Sequence, residues 1–159
     1  MSLHDPVSRL RELGLALPDD PGASANYVPF KISGDTLYLS GQGPRASDGS
    51  WIVGTIGSDV TVAEAYEHAR TVGLQLLSVA SKAAGGLHRL EVLKLFGMVN
   101  AVADFADHPK VINGCSDLLV DVLGERGRHA RSAVGMGSLP NGMTVEIEAI
   151  MRVLPEGEP

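Results

Sequence analysis

The feature that most constrains this chain is a run of alternating residues near its C-terminus, from Thr144 to Met151. Every second residue of the run is apolar, and the positions between them include Glu146 and Glu148. Successive side chains of a β-strand point to opposite sides, so a period of two is typical of a strand with one buried face. We therefore expect Glu146 and Glu148 to project from the same face of one strand.

A turn signal from Leu139 to Gly142 separates this strand from a second strand-like run that begins at Arg131. Pro140 presets φ at the second turn position, and Asn141-Gly142 tolerates positive φ. The chain should therefore reverse direction between the two runs. We predict that they pair as an antiparallel ribbon.

The first part of the chain predicts a short helix followed by a β-hairpin. Val7 to Leu17 carries leucines among arginine and glutamate residues and is stopped by Pro18 to Pro21, and we treat this helix as an accessory element. Tyr27 to Ile32 and Thr36 to Ser40 are strand-rich runs on either side of the turn signal Ser33-Gly34-Asp35. This arrangement is typical of a hairpin.

A long helix is predicted after a loop. Arg45 to Ser58 is rich in Gly, Ser and Asp, and we interpret it as a loop that is mobile or lies at an interface. Thr61 and Glu64 have the spacing of a capping box, and the helix should run to about Ala84, where Gly85-Gly86 supplies a left-handed stop. Its apolar residues recur at three- and four-residue spacing and would cover a sheet: Val62, Tyr66, Ala69, Val72, Gly73, Leu76, Leu77 and Ala80.

A further strand and a second helix follow. Leu90 to Val102 is long, apolar and β-favouring, which indicates a strand that is buried on both faces or lies at a subunit contact. Pro109 suits the first turn of a helix, with Asp107 or His108 as its cap and Gly124 at its end. The inner stripe of this helix contains Ile112, Cys115, Leu119 and Val122.

The predicted element order is β-β-α-β-α-β-β, an α+β fold with two helices on one face of a mainly antiparallel sheet. A chain of 159 residues fits one domain. The formal net charge of −6 disfavours a dedicated nucleic-acid surface, because phosphate binding depends on clustered Lys and Arg. Cys115 is the single cysteine, so no internal disulfide is expected, and no zinc-ligand spacing is present. We interpret Cys115 as a small buried apolar residue.

The N-terminus has neither a basic region nor an apolar core of the kind that a signal peptide needs. No run approaches the ~20 apolar residues that a membrane span requires. We therefore expect a cytoplasmic protein without a membrane partner.

Two motifs resemble those of a known family. Ala130 to Val134, Leu139-Pro140 and Val145 to Ala149 are similar to the C-terminal signature of the RidA/YjgF family, the reactive intermediate deaminases once called endoribonuclease L-PSP. Leu39 to Pro44 resembles the family's other landmark, a strand that ends in Ser-Gly-Gln. The matches span roughly Asn26 to Val153 and occur in the family's order.

The resemblance implies the chorismate-mutase-like fold and a homotrimer with three interfacial clefts. We expect residues 1–22 to be an N-terminal accessory segment, residues 23–154 the RidA/YjgF-like domain and residues 155–159 a tail. The chain departs from the best-known deaminases at Val28-Pro29-Phe30 and at Ala133, and its connections at 45–59 and 106–130 are longer. These departures affect the expected shape of the pocket.

Arg131 is the first candidate site residue. A guanidinium offers two parallel donors that match a carboxylate. The resemblance implies that Arg131 binds the carboxylate of the substrate. The alternative is a surface arginine at the start of a strand.

Glu146 is the second candidate. A carboxylate on an otherwise apolar strand can shuttle a proton once partial burial raises its pKa, and Glu148 on the same face would add like-charge repulsion. The resemblance implies a role for Glu146 in proton transfer and in positioning water. The alternative is that both residues are solvated on an exposed strand face.

In the predicted ribbon, Arg131 lies opposite roughly Ile150 and Glu146 opposite roughly Gly135. An offset of four residues separates their backbones by ~13 Å, too far for one small ligand. A site shared between subunits would resolve this, as would a bulge permitted by Gly135 and Gly137.

The resemblance adds weaker candidates for substrate binding: Tyr27, Ser40, Gly41 and Asn113. Each is equally well explained as a strand-end or helix-surface polar group. The five histidines do not have the spacing of a metal site or a catalytic triad. His129 is the one histidine that we consider as a possible site residue, because it is close to Arg131 in the sequence.

The leading hypothesis is a cofactor-free hydrolase that deaminates enamine or imine intermediates. A 2-aminoacrylate-like imino acid would give a 2-keto acid and ammonia, and the partners would be a small carboxylate-bearing metabolite and further copies of the chain. One alternative is a non-catalytic trimer that binds small carboxylates and regulates a pathway. The other is an endoribonuclease, which the acidic balance and the lack of a histidine pair disfavour.

Overall fold

The computed structural model describes residues 5–19 and 25–157. Within them the chain forms three α-helices and five β-strands, joined in part by short 3₁₀ turns. The elements in chain order are α1 (Pro6–Glu12), β1 (Phe30–Ser33), β2 (Thr36–Gln42), α2 (Val62–Ala84), β3 (Leu90–Asn100), α3 (His108–Leu123), β4 (Ala130–Met136) and β5 (Val145–Val153). After α1, this is the predicted order β-β-α-β-α-β-β, and the fold class is confirmed.

The N-terminal helix is shorter than predicted, since it ends at Glu12 and not at Leu17. The side chain of Asp5 caps it by accepting hydrogen bonds from the backbone N–H groups of the first turn. Leu10 is buried in the core, and Arg9 Nε donates to the carbonyl of Asp121 on α3 at 3.2 Å. α1 is therefore docked on α3.

The sheet has the strand order β1-β2-β5-β3-β4. β1 and β2 form the predicted hairpin, although β1 begins at Phe30, so Tyr27 lies in a bend before it. β5 is antiparallel to both β2 and β3, whereas β4 pairs with β3 in parallel. Four of the five strands thus form the antiparallel part of the sheet.

The prediction of an antiparallel β4–β5 ribbon was wrong. The chain does turn at Pro140–Gly142, where Asn141 has φ 56° and Gly142 φ 70°. It then passes beyond the end of β3, so that β5 enters the sheet on the other side of β3. The turn signal correctly predicted that the chain reverses direction. It could not predict which strand β5 would pair with, because β3 offers one edge to β4 and its other edge to β5.

The two predicted long helices are confirmed. Thr61 and Glu64 form both hydrogen bonds of the capping box of α2, and Gly85 ends that helix at φ 81°. Asp107 is the N-cap residue of α3 but makes no capping hydrogen bond with its side chain, and Gly124 follows the last turn. At Gly114 the two helices come so close that an added Cβ would collide with the backbone of Tyr66.

The helices cover one face of the sheet and leave the other open. Leu37, Leu95, Ile147 and Met151 point into the core between the layers and are completely buried. On the opposite face, which we call the outer face, the side chains are half-buried or exposed. Within one chain β3 is therefore buried on one face only. Of the two predicted alternatives, burial on both faces does not occur within the chain, and a subunit contact stays a prediction. Among the described residues, no helix is long and apolar enough to cross a membrane.

Candidate functional site

The sheet separates the two principal candidate residues. Glu146 is paired with Met98 in the sheet and points to the outer face. Arg131 is paired with the buried Leu95, and its guanidinium contacts α3 on the helix face. The candidate residues therefore form two groups, one on each side of the sheet.

The first group lines a cleft of about 450 Å³ on the outer face. Tyr27, Ser40, Gly41 and Glu146, which were all predicted, meet there. We call this the Glu146 cleft. Its remaining walls are formed by Ala25, Gly43, Trp51, Pro140, Asn141, Met143 and Glu148.

Glu146 lies against the backbone of β2. A Cβ on Gly41 would collide with Oε1 of the Glu146 carboxylate, so only glycine leaves room for this contact. The pairing of β2 with β5 shifts register between Leu39 and Gln42, and this irregularity brings the backbone of Gly41 to the carboxylate. Ser40 donates its hydroxyl proton to the carbonyl of Val28 at 2.7 Å and so fixes the segment before β1.

The surroundings of Glu146 suit proton transfer. Partial burial and, secondarily, the neighbouring charge of Glu148 raise the pKa of Glu146 above its usual value. A carboxyl group with a raised pKa keeps its proton to higher pH than an ordinary glutamate does, which favours its use as a general acid. The two carboxyl groups also favour a cation over an anion in the cleft.

One wall of the Glu146 cleft comes from the loop that follows β2. The guanidinium of Arg45 stacks on the ring of Trp51, with its carbon 3.6 Å from the ring centroid. A Cβ on Gly43 would collide with the sulfur of Met143 and would lie 3.1 Å from the ring of Trp51. Backbone bridges of Arg45 with Trp51 and of Val53 with Met143 fix the segment that the sequence led us to interpret as a mobile or interfacial loop. This wall was not predicted from the sequence; the one tryptophan of the chain, placed in a polar loop, is the signal that could have indicated it.

The second group of residues surrounds Arg131. Its Nη1 donates to Ser116 Oγ at 2.9 Å, and its Nη2 donates to Asn113 Oδ1 at 2.7 Å and to the carbonyl of Pro109 at 3.2 Å. Asn113 was predicted, whereas Ser116 was not. These residues lie beside a hollow of about 240 Å³, lined by Asn113, Ser116, Val120, Arg128, His129 and Arg131, which we call the Arg131 hollow.

These contacts limit what Arg131 offers to a ligand. A guanidinium has five N–H groups, and α3 takes three of those of Arg131. The remaining two, Nε–H and one Nη1–H, can bind a carboxylate without displacing a residue of α3. The predicted pair of parallel free donors is therefore not present in this arrangement.

His129 is part of the same network. Its Nε2 lies 2.9 Å from Ser116 Oγ, and its Nδ1 lies 2.6 Å from the carbonyl of Gly127. Burial, and to a smaller extent the charge of Arg131, lower the pKa of His129, although the hydrogen bond to Gly127 opposes them. The imidazole is therefore neutral at neutral pH.

Arg131 and Glu146 are not on paired strands, because β4 pairs with β3 and not with β5, so the predicted offset of four residues between them does not apply. β4 pairs with β3 without a shift in register, so Gly135 produces no bulge there, and Gly137 lies beyond the end of β4. Gly135 instead leaves room for the ring of His108, which a Cβ would meet at 2.6 Å. The two residues are kept apart by the sheet itself, and a small ligand cannot contact both within one chain.

Other reactive groups offer no additional site among the described residues. Cys115 is fully buried on α3, as predicted, and burial raises the pKa of its thiol to about 12. Within residues 5–19 and 25–157, no three His, Cys, Asp or Glu side chains are grouped so that they could hold a metal ion.

Comparisons with known proteins identify relatives over nearly the whole chain. The chain is 46% identical to the Agrobacterium tumefaciens protein Atu1372, of unknown function, with a TM-score of 0.84 and coverage of 93% of each chain. It is 34% identical to a Shewanella oneidensis structure described as a "putative endoribonuclease", with a TM-score of 0.89 and coverage of 94% of this chain and 99% of the other. It is also 40% identical to Protein TCP17 of Trypanosoma cruzi, over 92% of this chain and 93% of that protein.

Residues 7–145 match the family described as "YjgF/chorismate_mutase-like, putative endoribonuclease". The matched region includes residues 7–12 of α1, which the two sequence motifs do not reach. A RidA structure from Psychrobacter is 28% identical, with a TM-score of 0.58 and coverage of 85% of this chain and 94% of the other. The chain belongs to the YjgF/chorismate-mutase-like family, to which the RidA proteins are related.

Proposed function

We propose that this protein is a cofactor-independent deaminase of enamine and imino acids, with sites shared between the subunits of a homotrimer. The observation that carries the proposal is the placement of Arg131 and Glu146 on opposite faces of one sheet. A ligand can contact both only if they come from different copies of the chain. A cytoplasmic location and the domain limits at residues 22 and 154 belong to the same proposal.

The outer face supports assembly through this side of the sheet. Tyr38 and Val134 are 47% and 36% exposed, and Phe96, Met98 and Ile150 are half-buried around them. Packing these apolar side chains against another copy would remove them from water. The Glu146 cleft lies on the same face, so a neighbouring chain would close it.

The charges of the two groups match the two ends of an imino acid. Glu148, together with Glu146 once it has given up its proton, favours a cationic nitrogen such as that of an iminium ion and repels a carboxylate. Arg131 is cationic and has two N–H groups left for a carboxylate. A substrate between subunits would therefore place its nitrogen at the Glu146 cleft and its carboxylate at the Arg131 hollow of the neighbour.

Glu146 can perform each proton transfer. In its protonated form it donates to the β-carbon of the enamine, which forms a C–H bond and leaves an iminium ion. The resulting carboxylate takes a proton from water as the water oxygen bonds to the iminium carbon. Transfer of that proton to nitrogen makes ammonia the leaving group. As the C–N bond breaks, the hydroxyl oxygen forms the C=O bond of the 2-keto acid, and the hydroxyl proton returns to the carboxylate of Glu146, which restores its acid form. General acid–base catalysis of this kind contributes ~10²–10⁴-fold.

The test is ammonia release from imino acids that an amino-acid oxidase generates in the assay. Wild type should accelerate it, and Arg131→Ala and Glu146→Gln should each abolish the acceleration. Arg11→Ala and Glu67→Gln, at exposed positions on α1 and α2, are matched controls that should behave as wild type. Saturable binding of 2-keto acids without turnover in wild type would instead indicate a regulatory binding protein.

The endoribonuclease activity named for some relatives is less well supported for this chain. Glu146 and Glu148 would repel a phosphate backbone from the cleft. RNA cleavage that survives both Arg131→Ala and Glu146→Gln would favour that function at another site.

A further inference from the structure

A chain of hydrogen bonds runs from Arg131 to the loop before β4. Arg131 Nη1 and His129 Nε2 each lie 2.9 Å from the hydroxyl of Ser116, and His129 Nδ1 lies 2.6 Å from the carbonyl of Gly127. A carbonyl only accepts, so Nδ1 carries the ring proton and Nε2 is an acceptor. Ser116 therefore donates to His129 and accepts from Arg131, and the direction of each bond is fixed.

His129 decides where the hydroxyl of Ser116 points. A serine within a helix can instead donate to the carbonyl four residues earlier, which here belongs to Ile112. With Nε2 as its acceptor, the hydroxyl turns its lone pairs towards Arg131. Without that acceptor, the hydroxyl is free to turn to the helix backbone.

The ring of His129 is itself held in place. A Cβ on Gly127 would collide with the backbone of Leu119, so the loop that carries the accepting carbonyl packs directly on α3. The charged groups that line the hollow are Arg131 on β4 and Arg128, which is paired with Glu125 at 3.0 Å. The residues that α3 contributes, Asn113, Ser116 and Val120, carry no charge. No anion therefore competes with Ser116 for Arg131 in this hollow.

We propose that His129 is a positioning residue, which acts through the hydroxyl of Ser116 to hold the guanidinium of Arg131 in the orientation that receives the substrate carboxylate. This inference rests on the proposed function of Arg131. It assigns a role to a residue outside both family motifs and predicts that His129 affects binding of the substrate more than its conversion.

The first test compares His129→Leu with His129→Gln, whose side-chain oxygen can still accept from Ser116. His129→Leu should raise KM, and Kd for pyruvate as a probe, about fivefold, the effect of one hydrogen bond, with kcat changed less than twofold. His129→Gln should restore both constants. His88→Leu, at an exposed histidine, is the matched control.

A double-mutant cycle tests the route through Ser116. The double variant Ser116→Ala/His129→Leu should bind pyruvate no more weakly than Ser116→Ala alone. Additive losses, or a His129→Gln variant as impaired as His129→Leu, would overturn the inference.

How firmly the guanidinium of Arg131 is held in one orientation can also be measured without any ligand. The Nη–H resonances of Arg131 should be resolved in ¹⁵N NMR spectra of wild type and His129→Gln and merge in His129→Leu. Unchanged spectra in His129→Leu contradict the positioning role, whatever the protein binds. Merged spectra together with no turnover in wild type would refute the deaminase proposal and leave the positioning role supported.

Discussion

Arg131 and Glu146 lie on opposite faces of the same sheet, separated in strand order by β3. Arg131 is bound to α3, and Glu146 lies against Gly41 on the outer face. Each residue is therefore fixed by a different layer of the fold. In a site shared between subunits, Arg131 would come from one chain and Glu146 from its neighbour, and both would stay in the positions described here.

Mixing two inactive variants should restore activity if sites are shared. In an equal mixture of Arg131→Ala and Glu146→Gln chains, refolded together, about a quarter of the interfaces join an intact Arg131 to an intact Glu146. We therefore expect about a quarter of wild-type ammonia release per chain. Each variant refolded alone is the control, and a mixture as inactive as its components would contradict a site shared between subunits.

Gly41→Ala should impair catalysis more than folding. Its methyl group would displace the carboxylate of Glu146, and misplacement of a catalytic group by about 1 Å costs roughly 10²-fold. kcat should therefore fall by about 10- to 100-fold, measured by release of 2-keto acid. Gly137→Ala, where an added Cβ meets nothing within 4 Å, is the matched control. Unchanged kcat in Gly41→Ala would show that the position of Glu146 against β2 is not needed.

Glu148→Gln should shift the pH profile of the reaction to lower pH. Glu146 has a raised pKa because of partial burial and the charge of Glu148, so removing that charge lowers it. Protonation of the enamine needs the acid form of Glu146, and that form is lost as the pH rises through its pKa. The alkaline limb of kcat should therefore begin at lower pH in Glu148→Gln. A carbon-detected NMR titration of the Glu146 carboxyl group measures the same shift without substrate, and an identical titration in both proteins would refute the coupling.

Gly114→Ala should destabilise the fold. An added Cβ would collide with the carbonyl of Tyr66 and lie 3.1 Å from the backbone nitrogen of Arg70, so α2 and α3 would have to separate. Overpacking of this kind costs about 1–3 kcal/mol or somewhat more. The free energy of unfolding in urea should fall by that amount, whereas Gly137→Ala should change it little. Equal stability of the two variants would mean that the helices can move apart without loss.

The elements that the sequence predicted well are those specified by local signals. The capping box at Thr61 and the glycine after Ala84 fix the ends of α2 within the helix itself. The alternation around Glu146 and Glu148 correctly placed both on one face of β5. These patterns depend only on residues within a few positions of one another.

The pairing of β4 was not predictable in this way. The turn at Pro140 to Gly142 is compatible with a tight hairpin and with a crossing to another strand, and the choice depends on β3, some forty residues earlier in the chain. The contacts of Ser116 with Arg131 and His129 likewise join a helix to a strand and its preceding loop. Sequence motifs identified Arg131 and Glu146 as candidates, but only the tertiary structure showed that their side chains lie on opposite faces of the sheet.

The central position of β5 has a consequence for how the protein is made. Within the sheet, β1 and β2 form one ribbon and β3 and β4 another, and β5 is the strand that joins them. The ribosome synthesises β5 after all the other strands. Until then, the edges of β2 and β3 that will pair with β5 have backbone N–H and C=O groups without a strand partner. Release of residues 145–153 from the ribosome should therefore be the event that commits the whole chain to its native fold.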